Sequence, residues 1–146
     1  MSAIPVCPRL ELYNRQENMS LDMEYVQDAL QRALPLCVQK SFSECPLVSL
    51  KKVEVSIVCG SEISEVHRRF LNDPTETDVI TFDHGEIIVS SDVAEEKAAE
   101  YGHTTEAELL LYIVHGLLHL GGYKDKTKSE FNEMSRVQEV IWKKTS

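Results

Sequence analysis

The stretch that decides the fold is TDVITFDHGEIIVS, residues 77–90. Its two halves, 77–82 and 86–90, are rich in β-branched and aromatic side chains, which favour β-strands. Between them Asp83-His-Gly85 is a turn signal. The stretch therefore predicts two neighbouring strands, close enough along the chain to form a hairpin.

On the N-terminal side of this stretch, alternating apolar and polar residues predict a strand at 10–13 and another at 53–57. Between these strands Ser20 offers an N-cap, and apolar residues recur at helical spacing until Pro35, which is expected to stop the helix. The segment 36–50 is interpreted as a connector.

Helices are predicted for most of the remaining chain. One begins at Gly60-Ser61 and ends at Asn72-Asp-Pro74. Capping-box patterns then predict helix starts at Asp92, Thr105 and Thr127. The last helix is expected to turn five apolar side chains inward: Phe131, Met134, Val137, Val140 and Ile141.

Strands early and helices late indicate an α/β (α+β) protein with a small four-stranded mixed sheet covered by helices. At 146 residues the chain is predicted to form a single domain, 1–146. The run 109–114 is too short to cross a bilayer, and the N-terminus does not resemble a signal peptide. The four cysteines form no Cys-x-x-Cys pair and are interpreted as free thiols, so a soluble, cytoplasmic protein is predicted.

The charge balance limits how the protein could hold a polyanion. Lys and Arg number 15 against 24 Asp and Glu, so the formal net charge is −9. A protein that grips nucleic acid through bulk phosphate neutralisation is usually basic. This chain would need a local basic patch or a metal ion.

The segment HGLLHLGGYKD, residues 115–125, carries the chemistry. His115 and His119 are four residues apart, so on a helix they share one face and can bind one metal ion. The two glycines that follow end the helix, and Asp125 then offers an oxygen as third ligand. Three protein ligands on a zinc or similar ion leave one position for water, as in catalytic sites.

The alternative is that both histidines are ordinary helix residues. Their neighbours are mostly leucine, so at least one imidazole would be buried, at a cost, with nothing to bind. The spacing also matches the metzincin zinc proteases, except that their general-base glutamate directly follows the first histidine. Gly116 stands there instead, which argues against peptide hydrolysis by that mechanism.

Residues 115–123, HGLLHLGGY, resemble the signature of the YbeY family of bacterial metal-dependent endoribonucleases and rRNA-maturation factors. Residues 77–82 and 85–90 are similar to two further blocks of that family, in the same order and with similar spacing. The resemblance covers about Val53 to Asp125 well. It implies a zinc-dependent endoribonuclease that hydrolyses single-stranded RNA in 16S rRNA 3′-end maturation and ribosome quality control. It implies rRNA and the small ribosomal subunit or its factors as partners.

Two departures from the family pattern concern the site. Most members have a histidine as third ligand, where this chain has Asp125, whose negative charge should make a bound water somewhat less acidic. The family also has an arginine at the position of Leu71. Arg68 or Arg69, about one helical turn away, could supply that charge to the transition state. Both could equally be solvated surface arginines.

Other residues near the motif have two interpretations. Lys124, Lys126 and Lys128 could contact RNA or simply be solvated. Glu108 lies two helical turns before His115, but it is interpreted as part of the Thr105 capping box.

Two rival functions stay open at this point. One is a non-catalytic ribosome-associated factor with a structural metal, which a fourth ligand such as His103 or His84 would favour. The other is a metal hydrolase that acts on a different substrate.

Overall fold

The structure is a computed structural model that describes residues 7–73, 75 and 77–146. All four strands lie before residue 91, with three helices between them, and three further helices complete the chain. In order, the elements are β1 Arg9–Asn14, α1 Met23–Gln39, α2 Pro46–Ser49, β2 Lys52–Val58, α3 Gly60–Leu71, β3 Val79–Phe82, β4 Glu86–Ser90, α4 Ser91–Tyr101, α5 Thr105–Leu120 and α6 Lys128–Thr145.

The four strands form one mixed sheet in the order β1-β2-β4-β3. The pairs β1–β2 and β2–β4 are parallel, and helices form the crossovers that parallel pairing requires. The pair β3–β4 is antiparallel, with Val79 opposite Val89 and Phe82 opposite Glu86. The predicted hairpin and the α+β class with a four-stranded mixed sheet are confirmed, although β3 begins at Val79 rather than Thr77.

The sheet is covered on both faces, and the two faces differ in extent. Alternate strand residues such as Val55, Ile57 and Ile87 enter a large core with α1 and α5, because side chains alternate between the faces of a strand. On the other face Ile63 of α3 packs with a smaller cluster that includes Ile88. The helix α5 is buried along nearly its whole length, so it forms the centre of the large core.

The helix α1 departs from the prediction at both ends. Pro35 does not stop it, because α1 continues to Gln39. The proline is on the exposed face, where water can satisfy the carbonyl that the ring leaves without a donor, while Cys37 on the opposite face is fully buried. Asp22, not Ser20, caps the helix by accepting from the backbone N–H of Tyr25. The expected connector 36–50 therefore holds the end of α1 and all of α2.

Two predicted capping boxes are also wrong, each because a neighbouring residue takes the cap. Ser90 caps α4, while the Asp92 carboxylate accepts from the backbone N–H of Gly60 at 2.7 Å, at the start of α3. Thr104, not Thr105, caps α5 by accepting from the N–H of Ala107.

The capping box that begins α6 at Thr127 is confirmed, with both of its hydrogen bonds present. Met134, Val137 and Ile141 are buried as predicted, whereas Phe131 and Val140 are exposed. Residues 131 and 140 lie outside the sector of the helix that faces the core, so the apolar pattern alone overstates that sector.

Two further predictions concern the whole chain. The four cysteines, Cys7, Cys37, Cys45 and Cys59, are free. No helix within the described residues has the length and apolar character needed to span a bilayer.

Candidate metal centre

The helix α5 presents two imidazoles on one face, one turn apart. The Nε2 atoms of His115 and His119 are 3.1 Å apart, and the rings stand nearly perpendicular, with centroids 4.6 Å apart. Leucine and valine neighbours hold this part of the helix in the core, so the position of both histidines is set by packing of the helix rather than by a flexible loop.

A tight turn then returns the chain toward the histidines. The helix ends at Leu120, and Gly122 adopts a positive φ of 99°, a conformation in which other residues are strained. The turn brings the Oδ2 atom of Asp125 to 3.5 Å from Nε2 of His119. The potential ligand atoms of His115, His119 and Asp125 all lie within 4.8 Å of one another, so the three predicted ligands are brought together.

The outer nitrogens of the two imidazoles have hydrogen-bond acceptors. Nδ1 of His115 is 2.7 Å from Oε1 of Gln138, and Nδ1 of His119 is 3.0 Å from the backbone carbonyl of Tyr123. A carbonyl can only accept, so each Nδ1 carries the proton and each Nε2 presents a lone pair. Two lone pairs and a carboxylate that converge on one point repel one another unless a cation lies between them. The donor set therefore fits a metal ion.

Burial of His115 also favours the neutral form of its imidazole. Desolvation lowers the pKa of His115 below its ordinary value, although the hydrogen bond to Gln138 opposes the shift. A histidine must be neutral to bind a metal. At neutral pH the His115 ring is therefore already in the form that a metal requires.

The glycine between the histidines is explained by the packing of α5 on the sheet. A Cβ atom at Gly116 would lie 2.9 Å from Oγ1 of Thr81 and 3.0 Å from side-chain carbons of Ile87. The glutamate that metzincins carry at this position would collide with the sheet. The missing general base thus reflects a different orientation of the helix, whose next residue faces the sheet instead of the substrate.

The cluster opens into a cavity of about 690 Å³. Residues from the β3 hairpin, the end of α3 and the turn after α5 line this cavity, which we call the metal cavity. Acidic residues on its wall include Asp78 and Asp83, while Lys124 contributes a cation. The metal cavity is large enough for a ligand of nucleotide size.

The arginines that the sequence suggested are placed elsewhere. Arg68 and Arg69 are exposed on α3, and Arg68 pairs with Glu65. Neither lines the metal cavity, whereas Leu71 does and is 55% exposed. The catalytic part assigned to Arg68 or Arg69 stays a prediction. Of the three candidate lysines, Lys124 lines the cavity, and Lys126 and Lys128 are exposed outside its lining.

Two residues named as possible fourth ligands have other partners. His103 contacts the buried carboxylate of Glu108, and His84 contacts Glu86 at 3.2 Å. Neither belongs to the three-residue metal cluster found among the described residues. The prediction that Glu108 belongs to a capping box is wrong, because its side chain is 3% exposed and is bound to His103.

Sequence reasoning missed the acceptors behind the two histidines. Gln138 lies on α6 between Met134 and Ile141, which are both buried. A polar residue on the inward side of an amphipathic helix is a signal that could have identified it. The carbonyl of Tyr123 leaves no signal in a sequence, because any residue at that position would present one.

The fold and the cluster together define a class of protein: a small α+β domain whose penultimate helix carries a His-x₃-His pair, followed by a carboxylate after a glycine turn. The chain belongs to the YbeY family, because the family model described as "Endoribonuclease YbeY" matches residues 11–146. This agrees with the resemblance seen in the sequence motifs.

Individual relatives agree with this membership. A protein of Acholeplasma laidlawii named "Endoribonuclease YbeY" is 36% identical over 104 residues, which cover 66% of this chain and 76% of the relative. A protein of the same name from Elusimicrobium minutum is 40% identical over 98 residues, covering 58% and 68%. A solution structure of a Thermotoga maritima protein matches with a TM-score of 0.61 at 28% identity, covering 92% of this chain and 90% of the other.

Proposed function

We propose that this protein is a zinc-dependent endoribonuclease specific for single-stranded RNA, which acts in 16S rRNA 3′-end maturation and in ribosome quality control. The observation that carries the proposal is the convergence of two imidazole lone pairs and a carboxylate at a cavity, in a family whose members are named for endoribonuclease activity. The cytoplasm is the proposed location, and the small ribosomal subunit or one of its factors is the proposed partner.

His115, His119 and Asp125 would hold the zinc ion, and three protein ligands leave a position for water. The chemistry that a bound zinc ion supplies is Lewis acidity toward a phosphoryl oxygen and toward the attacking water. Gln138 and the carbonyl of Tyr123 keep both imidazoles oriented, with the lone pairs directed inward.

Charge around the metal cavity sets how RNA would approach. Lys124 can attract a phosphate at the cavity wall, but Asp78 and Asp83 on the same wall oppose it. With a net charge of −9 on the whole chain, binding should be weak and strongly salt-dependent. An affinity for single-stranded RNA that is high and equal at low and high salt would contradict this.

The activity test uses a labelled single-stranded RNA and the same strand annealed to its complement. The zinc-loaded protein is expected to cut the single strand internally and to spare the duplex, and a chelator should abolish the cleavage. His119→Ala should be inactive, whereas His84→Ala, which changes an exposed histidine outside the metal cluster, should retain activity. If the zinc-loaded protein left the single strand intact but hydrolysed a small phosphoester or amide, it would instead be a hydrolase of another substrate.

The third ligand is tested by metal affinity. Asp125→Ala should weaken zinc binding in competition with a chromogenic chelator, because the site loses its only anionic ligand. Asp83→Ala is the matched control, since Asp83 lines the same cavity but does not belong to the metal cluster. Equal affinities for the two variants would remove Asp125 from the ligand set.

The cellular role is tested in the source organism. Cells that lack the protein are expected to accumulate 16S rRNA precursors with unprocessed 3′ ends, which mapping of RNA 3′ ends would detect. Restoration by the wild-type gene but not by His119→Ala would tie the defect to the metal centre. Mature 3′ ends in the deleted strain would contradict the rRNA role. They would not bear on the ribonuclease activity, which the cleavage assay tests separately.

A further inference from the structure

A second cavity of about 440 Å³ borders the metal cavity. Both are lined by Asp78, Val79 and His115, so a ligand can extend from one into the other. The second cavity is also lined by Tyr101 and Phe131, which are 63% and 55% exposed. From this juxtaposition we propose that the second cavity, the aromatic subsite, binds the nucleotide next to the scissile phosphate of single-stranded RNA, with its base stacked on Tyr101. The inference rests on the proposed function.

Tyr101 is held from behind by a second ring. It stacks on His103 with centroids 6.3 Å apart and planes 25° from parallel. His103 in turn meets the ring of Trp142 edge-on at 5.2 Å. One face of Tyr101 is therefore turned toward His103, while most of the residue is open to solvent, which is the arrangement of a stacking platform.

The residues behind His103 make this support rigid. The imidazole contacts the carboxylate of Glu108, which is 3% exposed. The indole N–H of Trp142 donates to the backbone carbonyl of Ala107 at 2.8 Å. A platform that is ordered before binding loses little conformational entropy when a base stacks on it. Glu108, which takes no part in the metal centre, thus supports the platform by binding His103.

Phe131 adds a second exposed ring to the same cavity. It lies in the first turn of α6, and its sequence pattern predicts an inward side chain. The structure instead leaves it exposed at the aromatic subsite. Two exposed aromatic rings beside one cavity favour a flat, partly apolar ligand, and a nucleobase has that shape.

The charges of the aromatic subsite fit a nucleotide as well. Lys97 lines the cavity and pairs with Glu100 at 3.7 Å in an exposed ion pair, which is weak enough to exchange for a phosphate. Among the described residues, the acids that line this cavity are Asp78 and Glu108. Glu108 is already paired with His103, whereas Asp78, at the wall shared with the metal cavity, can accept a hydrogen bond from an exocyclic amino group of a base.

The direct test compares ligands with and without a base. Zinc-loaded protein is titrated with adenosine 5′-monophosphate, adenosine 3′-monophosphate and ribose 5-phosphate, and binding is followed by the fluorescence of Trp142, the single tryptophan, and by NMR shifts. At least one adenosine monophosphate is expected to bind about tenfold more tightly than ribose 5-phosphate, in line with typical stacking energies. Equal affinity for all three ligands, or no binding of either nucleotide, would overturn the subsite.

Variants of the protein test whether the preference for a base depends on Tyr101. Tyr101→Ala should remove the preference for the base, and Tyr101→Phe should keep it because stacking does not need the hydroxyl. Tyr13→Ala, which removes an exposed tyrosine on β1, is the matched control and should behave as wild type. Equal loss in Tyr101→Ala and Tyr13→Ala would overturn the assignment, as would full retention in Tyr101→Ala.

Kinetics separate this inference from the proposed function. On single-stranded RNA, Tyr101→Ala should raise KM about tenfold with kcat little changed, because the ring binds the substrate and does not touch the reacting atoms. RNA cleavage without base-dependent nucleotide binding would overturn the subsite alone. Base-dependent binding that Tyr101→Ala abolishes, in a protein that leaves RNA intact, would support the subsite and contradict the proposed function.

Discussion

The two ends of α5 each carry an imidazole and carboxylate cluster, and the clusters have opposite character. Near its C-terminal end, His115 and His119 direct two nitrogen lone pairs at one point, with the partly exposed carboxylate of Asp125 beside them. Near its N-terminal end, the buried carboxylate of Glu108 meets one imidazole, His103, and that pair is complete.

The difference shows what distinguishes a candidate metal site from a structural pair. A carboxylate and an imidazole N–H satisfy each other, so the N-terminal pair needs nothing further. Two lone pairs and a carboxylate are all acceptors, so the C-terminal cluster has no donor of its own and suits a cation. The counts of donors and acceptors, rather than the residue types, separate the two clusters.

The largest expected effect is the loss of metal from the C-terminal cluster. His115→Ala and His119→Ala should each abolish stoichiometric zinc binding, because two remaining ligands hold zinc too weakly to survive purification. Elemental analysis of the purified variants is the measurement. His103→Ala should keep its zinc. Stoichiometric zinc in either of the first two variants would end the site assignment.

The next effect concerns stability and belongs to the N-terminal pair. Glu108→Ala should lower the free energy of unfolding by about 2–4 kcal/mol, because it leaves His103 without its partner and opens space in the core. Urea unfolding followed by circular dichroism measures it. The exposed Glu96 provides a control, since Glu96→Ala should change stability by less than about 0.5 kcal/mol.

The same measurement on Asp125→Ala tests the contrast directly. In metal-free protein this substitution should be close to neutral, because Asp125 is exposed and its removal relieves repulsion among acceptors. A loss as large as that of Glu108→Ala would mean that the C-terminal cluster is also a self-sufficient structural pair.

A smaller effect is expected behind the two histidines of the C-terminal cluster. Gln138→Leu removes the acceptor that orients His115, so zinc affinity should fall about tenfold without being lost. Competition with a chelator measures the affinity, and the exposed Gln31→Leu is the control. Wild-type affinity in Gln138→Leu would show that the packing of α5 alone orients the imidazole.

The smallest effect is a pH dependence at Tyr112, which lies beside the N-terminal pair. Burial, and next the neighbouring Glu108 carboxylate, hold the pKa of Tyr112 well above its ordinary value of 10.0. The raised pKa stabilises the folded protein fully below pH 10.0, and this contribution falls as the pH rises above that value.

Unfolding measured at several alkaline pH values checks this prediction. Tyr112→Phe should make the decline shallower by up to about 1.4 kcal/mol per pH unit. If the free energy of unfolding fell equally steeply with pH in wild type and in Tyr112→Phe, the raised pKa of Tyr112 would be contradicted.

The accuracy of prediction differs between local and distant features. The hairpin of β3 and β4, the capping box of α6 and the three ligands that come together in the metal cluster each depend on residues within about a dozen positions of one another. Helical periodicity and turn chemistry act over that range, so the sequence carries the signal.

Features that depend on which face of a helix is exposed to solvent could not be predicted in the same way. Pro35 stays within α1 because its ring is on the exposed face. Phe131 is exposed although the spacing of its neighbours points it inward. Two caps also differ from the prediction although the signal is local, because Ser90 caps α4 and Thr104 caps α5.

By itself the sequence determined the α+β class, the central hairpin and the His115, His119 and Asp125 cluster, because a helical repeat followed by a glycine turn is a local geometry. Only the tertiary structure decided that Gln138, 23 residues from His115, orients the imidazole, and that Gly116 faces the sheet. It also decided that Leu71 rather than Arg68 or Arg69 lines the metal cavity. These depend on how helices pack against one another, and a chain carries no local record of which distant side chain will meet which.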